Sequence, residues 1–223
     1  RIDLIFIQQK NMGCAAARNI GALRSRGKFL AFLDHDCEPA SNWLKSLVER
    51  LSATPSCVVG GLTLNRLTEN PFSTASQLII DYLYRYYNVD PLNSRFFCAG
   101  NMALLRDLFI SHGGFRDSLH YGGEDREFSD RLARRGIRSI FVPEAVVYHA
   151  HQLNLRGFMR QHRNYGRASF HFYRLRKPGR RLEPLSFYWN LIFYPFSASV
   201  RKRRVTLCAL LTLAQLSSMA GFL

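Results

Sequence analysis

Two carboxylates separated by one residue, Asp34-His35-Asp36, follow directly on the apolar run Phe29 to Leu33. At the carboxyl end of a buried strand, where open α/β sheets form their ligand crevice, such a pair can hold a hard divalent cation and through it a phosphate-bearing ligand. Acidic residues also cap the helix that comes next, so the triplet alone leaves both readings open. A second acidic pair, Glu124-Asp125, stands behind Gly122-Gly123 and opens the stretch REFSDRLARRG. The helix dipole favours carboxylates there, which makes a helix cap one reading. The other is a general base acting on a hydroxyl, with the glycine pair letting the backbone approach a ligand closely. His149, in Tyr148-His149-Ala150-His151, is either structural or a third metal ligand, and the second role needs the carboxylates nearby.

These groups need elements to position them. Ile2 to Ile7 is a short apolar run that predicts a buried strand, and Cys14 to Ser25 carries small and apolar residues at helical spacing up to Gly27. Phe29 to Leu33 is a second strand candidate, Pro39 starts a helix over Ala40 to Leu51, and Val58 to Leu64 is a third strand. This rhythm predicts an α/β layered domain with a mostly parallel sheet flanked by helices. Helices are expected at 72–87, 103–112 and 124–135, and short strands at Ile137 to Val142 and Ala145 to Tyr148 on either side of Pro143.

In chain order, Asn11-x-Gly13, Ala17-Arg18-Asn19-x-Gly21, Gly27 and Phe32-Leu33-Asp34-His35-Asp36 resemble the donor-binding half of the inverting glycosyltransferases of family 2, which have the GT-A fold. Cys98-Ala99-Gly100-Asn101-Met102, Gly113-Gly114-Phe115, Gly122-Gly123-Glu124-Asp125, Arg131-Leu132, Gly136, Pro143-Glu144-Ala145 and His149 are similar to the acceptor half. The resemblance runs from about residue 5 to about residue 170. It implies a metal-dependent, hexosyltransferase-type enzyme that moves a sugar from a UDP- or GDP-type donor to a hydroxyl of a glycan or lipid-linked acceptor, of cell-envelope or exopolysaccharide type. Arg18, Asn19, Asp34, Asp36, Gly100 and Asn101 would bind the donor. Asp36, Asp34 and His149 would hold Mg²⁺ or Mn²⁺, and Asp125, with Glu124 beside it, would deprotonate the acceptor. By the same resemblance the chain opens at the family's third strand, without the first strand-helix-strand unit. A sheet lacking those strands is expected to expose an edge and apolar surface.

Charge and length bound the remainder. The 223 residues are 47% hydrophobic and 21% charged, which excludes a disordered chain, a collagen-like chain and a disulfide-stapled miniprotein. Five cysteines without a C-x-x-C pair give no disulfide or zinc framework and fit a reducing compartment. The net charge is +15, and residues 156–204 carry 13 of the basic side chains against the single acid Glu183. Such a segment seeks phosphates, of nucleic acid or of an anionic membrane. No nucleic-acid module accompanies it, so nucleic acid is not the expected partner. Behind Arg201-Lys202-Arg203-Arg204 the uncharged run Val205 to Leu223 has the length of a membrane span, although a buried core helix is the plainer alternative. Three regions are therefore expected: 1–155 as the GT-A-like body, 156–204 as a basic, aromatic-rich juxtamembrane region, and 205–223 as a transmembrane or hydrophobic helix, with the whole on the cytoplasmic face of a membrane. Arg156, Arg160 and Arg163 either add positive charge near the leaving group or form the surface of a basic helix. A non-catalytic membrane adaptor or polyanion-binding relative is the alternative function.

Overall fold

A computed structural model describes residues 3–175, 182–198, 200 and 202–223. Ile2 and Arg201, which enter two of the expectations above, lie outside these residues. Among the described residues the strands are β1 (Phe29–Leu33), β2 (Cys37–Pro39), β3 (Cys57–Asn65), β4 (Asn101–Leu105) and β5 (Arg138–His149). The helices are α1 (Cys14–Arg24), α2 (Trp43–Ala53), α3 (Pro71–Tyr87), α4 (Arg106–Ser111), α5 (Glu124–Ala133), α6 (Leu155–Leu175), α7 (Leu185–Ile192), α8 (Tyr194–Ser197) and α9 (Arg204–Phe222). The α/β layering expected from the sequence, a sheet flanked by helices, is what the chain forms.

The sheet itself is mixed rather than mostly parallel. Its order is β1-β4-β3-β5-β2, and among these pairings β3 with β5 is parallel, whereas β1 with β4, β3 with β4 and β2 with β5 are antiparallel. The difference has a local origin. Ala103 to Leu105 are good helix formers and read as the start of a helix, yet they enter the sheet as part of β4. There β1 and β3 satisfy the backbone of that segment from both sides, and the helix begins only at Arg106. β2, three residues long, was too short to carry a sequence signal. The expected strand at Ile2 to Ile7 is not formed among its described residues. Leu4 and Phe6 are 90% and 85% exposed and pair with no strand.

The two strands expected around Pro143 are one. β5 runs through, and its register against β3 slips between Val142, opposite Gly61, and Val146, opposite Leu62. The residues Pro143-Glu144-Ala145 bulge out, which suits a proline that cannot donate to a ladder. Asn101 pins this bulge. Its fully buried amide donates to Leu62 O at 3.0 Å and Ala145 O at 3.1 Å and accepts from Trp43 Nε1 at 2.8 Å.

One face of the sheet packs α2, through Trp43, Leu47 and Leu51, onto Val59, Ile140, Val142 and Val147. The other face buries Phe32, Phe109, Phe115 and Phe128, whose rings meet at 5.1–5.3 Å in tilted and edge-on contacts. Beyond it lies a helical layer in which α9 buries Leu207, Leu211, Ala214 and Ser217 against its neighbours. The contact of α9 with α6 is backbone to backbone: a Cβ at Gly166 would overlap the carbonyl of Ser218, and one at Gly221 the carbonyl of Arg163. The apolar segment 205–223 is thus a helix with one docked face.

Candidate active site

Strand register assembles the site. In the β1–β4 ladder Leu33 faces Asn101, so Asp34, the next residue along, lies against Gly100. A Cβ at Gly100 would overlap the Asp34 carboxylate, which explains the glycine. In the β2–β5 ladder Cys37 faces His149, and Ala150 N donates to Asp36 O at 2.8 Å. Asp36 therefore sits beside His149, with its Oδ2 at 3.3 Å from Nε2. The three-residue strand missed in the sequence is what joins these two residues.

The link to the second acidic pair is Arg18. Its Nη2 donates to Asp34 Oδ1 at 2.5 Å and its Nη1 to Glu124 Oε1 at 2.6 Å, the latter across 106 residues of sequence. Glu124 is buried and Arg18 is 15% exposed at its side chain, so both charges depend on each other for compensation. Asp34 and Glu124 together hold the guanidinium protonated more firmly than usual. Gly122 and Gly123, at φ 105° and 82°, turn the chain into α5 through backbone that a side chain would strain, and Asp125 follows in the first turn. Burial, and then the charge of Glu124, push the Asp125 carboxyl up to about 7, against stabilisation from the backbone N–H groups of Arg126 and Ala99 and from Arg18. The Cys98 thiol is raised by burial and also by Asp125 and Asp34, so both halves of the site border the same sulfur.

Asp36, Cys37 and His149 place one ligand atom each within 4.8 Å of one another. Two ligands at about 2.1 Å from an octahedral ion stand about 3 Å apart, so the Asp36–His149 pair has the spacing of neighbours on one cation. Burial and the charges of Asp34 and Asp36 push the Cys37 thiol up to about 12, and the carboxylate oxygen of Asp36 and the imidazole nitrogen of His149 are the harder donors of the three. That set suits a hard ion such as Mn²⁺ or Mg²⁺, which keeps open positions for phosphate oxygens and water. Asp34 lies outside this group and is committed to Arg18.

Two residues expected at the donor have other work. Asn19 spends its amide on the 113–117 loop, donating to Phe115 O and Asp117 Oδ1 at 2.7 Å and accepting from Phe115 N at 2.9 Å. Asn101 spends its side-chain amide on Trp43, Leu62 and Ala145 around the β5 bulge. The pairing of Arg18 with Glu124 was not read from the sequence, because nothing local to either residue signals a partner so far along the chain.

Comparison with known proteins identifies the family. The model of glycosyl transferase family 2 matches residues 2–113, and that of glycosyl transferase family group 2 matches residues 58–223. The chain belongs to glycosyltransferase family 2. It is 31% identical over 158 residues to the pre-mycofactocin glycosyltransferase of Mycobacterium tuberculosis, covering 69% of this chain and 33% of that protein. It is 26% identical over 182 residues to the chondroitin synthase of Escherichia coli, covering 66% of this chain and 26% of that one. Its fold is shared with a mannosyltransferase from Pyrobaculum calidifontis solved in complex with GDP-Man and Mn²⁺, at a TM-score of 0.57 and 18% identity over 93% of this chain and 66% of that one. The chain thus spans a third or less of the length of these curated relatives.

Proposed function

We propose that this chain carries the catalytic centre of a metal-dependent inverting glycosyltransferase that moves a hexose-type sugar from a UDP- or GDP-type donor to a hydroxyl of a cell-envelope or exopolysaccharide acceptor, glycan or lipid-linked. The observation that carries the reading is Arg18, which pairs with both Asp34 of the donor motif and Glu124 of the acceptor motif, while Asp36, two residues after Asp34, lies beside His149. The solved mannosyltransferase with GDP-Man and Mn²⁺ supports both the donor class and the ion.

In this reading Asp36 and His149 hold the divalent ion, which when bound neutralises charge on the departing diphosphate. Asp125 accepts the proton of the acceptor hydroxyl as its oxygen bonds to the anomeric carbon, and the bond from that carbon to the diphosphate breaks on the opposite face. A single displacement inverts the configuration. Arg18 keeps Glu124 charge-compensated, so that Asp125 titrates near neutrality rather than higher. Gly100 leaves room for Asp34 beside the donor.

We assign the protein to the cytoplasmic face of a membrane on the same footing. α9 has 19 residues, 18 consecutive ones of which have a mean hydropathy of 1.6, with one face docked and Val205, Leu216 and Met219 exposed on the rest. Trp189 and Leu185 on α7 add exposed apolar surface of the interfacial kind.

The test is calorimetric titration of UDP and GDP with and without Mn²⁺, beside a transfer assay. Mn²⁺-dependent binding is expected in the parent and in Asp125→Asn, and its loss in Asp36→Ala, while Asp125→Asn abolishes transfer. Absence of metal-dependent binding in the parent would favour the adaptor alternative, and turnover retained in Asp125→Asn would remove that residue from the mechanism.

A further inference from the structure

Beside the acidic centre lies a cavity of about 480 Å³ that none of the assigned residues lines. It sits between the Tyr121 loop, the strap from His151 to Asn154 and the first turns of α6. Its volume falls within the range of roughly 300–1,000 Å³ typical of small-molecule sites. Two contacts join it to the site already described. The His151 ring on its wall stacks on that of His149 at 5.0 Å between centroids. On another wall the Tyr165 ring lies 3.7 Å from where a Cβ on Gly122 would stand, two residues before Glu124.

The chemistry of the wall is selective. Gln152, Asn154, Gln161 and Asn164 bring four neutral carboxamides, of which Asn154 already accepts from Gly157 N, against one guanidinium from Arg160, and Tyr121 and Tyr165 bring half-exposed aromatic rings. Gln161 gives its Nε2 to Tyr165 Oη at 3.0 Å, but its Oε1 is buried without a hydrogen-bond partner. An unpaired buried acceptor costs free energy, which a small turn of the Gln161 amide toward a donor in the cavity would recover. Among the described residues the amides of Gln152 and Asn164 are also without a side-chain partner. Carboxamides offer paired donors and acceptors matched to vicinal hydroxyls, and tyrosine rings cover the C–H face of a sugar. A phosphate-bearing lipid would instead call for several cations.

We propose that this cavity binds a sugar ring of the acceptor, so that the acceptor is a saccharide held by the carboxamides Gln152, Gln161 and Asn164 between Tyr121 and Tyr165. The proposal rests on the transferase reading for the word acceptor, but binding can be measured without turnover. The full chain is titrated by saturation-transfer NMR with the methyl β-glycosides of glucose, galactose, N-acetylglucosamine and N-acetylgalactosamine, and separately with farnesyl phosphate. At least one glycoside is expected to bind, and its affinity to fall about tenfold in Gln161→Leu and in Asn164→Leu, the loss of one hydrogen-bonding side chain. Thermal melting of both variants confirms that they fold, and Asn164, half-buried on α6 and without a side-chain partner among the described residues, serves if Gln161→Leu does not. No glycoside binding, or binding that both variants leave unchanged, overturns the proposal. So does farnesyl phosphate binding alone, sensitive to Arg160→Gln. Glycoside binding without Mn²⁺-dependent nucleotide binding would leave the saccharide site standing and sink the transferase reading; the reverse result would do the opposite.

Discussion

In the proposed mechanism protonation of Asp125 sets the pH dependence of transfer, and its burial ties the same proton to stability. In the unfolded chain the carboxyl has its ordinary value of 3.8, and in the fold burial and Glu124 raise it to about 7. The native state therefore holds the proton more tightly, and the stability this gives is present at low pH and is lost as pH rises from about 4 to about 7. Between pH 5 and pH 8 about two pH units of that window are crossed, an upper limit of about 2.7 kcal/mol at 1.36 kcal/mol per unit. Asp125 is half-buried, and solvent screening reduces this to on the order of 1–2 kcal/mol. Urea denaturation of the parent and of Asp125→Asn at pH 5 and pH 8 is the assay. The variant gains stability relative to the parent by that amount as pH rises, because asparagine has no charge to bury. Transfer runs in the opposite sense: the base must be free of its proton, so kcat/KM rises about tenfold per pH unit up to about 7 and then levels. A stability difference that stays constant across this range, or a rate profile that levels near pH 4, would refute the burial argument.

Three further outcomes follow from particular contacts. Arg18→Ala removes the cation that holds the Asp125 carboxyl down, so the midpoint of the rate profile moves above 7, as a pH–rate series on the variant would show. Asn101→Ala strands the Trp43 indole N–H and the carbonyls of Leu62 and Ala145, at about 1–3 kcal/mol each before relaxation, for a loss of about 3–5 kcal/mol in urea unfolding. Gly166→Ala forces α9 off α6 and costs about 1–3 kcal/mol or more, with the amides of 204–222 showing the earliest hydrogen exchange.

Where local pattern and tertiary context agree, the sequence is a good guide. Phe29 to Leu33 form β1 with the expected bounds, and α3 starts one residue from the expected 72, because Asn70 caps it and Pro71 fits its first turn. Where the partner is distant, it is not. Residues 103–105 have helix-forming side chains, but pairing with two neighbouring strands outweighs that weak preference. Pro143 reads as a break only until the bulge pinned by Asn101, 44 residues upstream of Ala145, is known. Asp34, Asp36, Asp125 and His149 were recognisable by type and spacing, whereas the ion pair that unites their neighbourhoods spans half the chain.

The two glycines where α6 meets α9 have a mechanical meaning. With carbonyls seated where side chains would otherwise stand, these rods can neither roll nor slide past one another without colliding, so they travel as one rigid strut. Any surface that receives the greasy outer side of α9 therefore also fixes the height and tilt at which Arg160 and its neighbours meet an arriving chain, much as a plinth sets the level of a workbench.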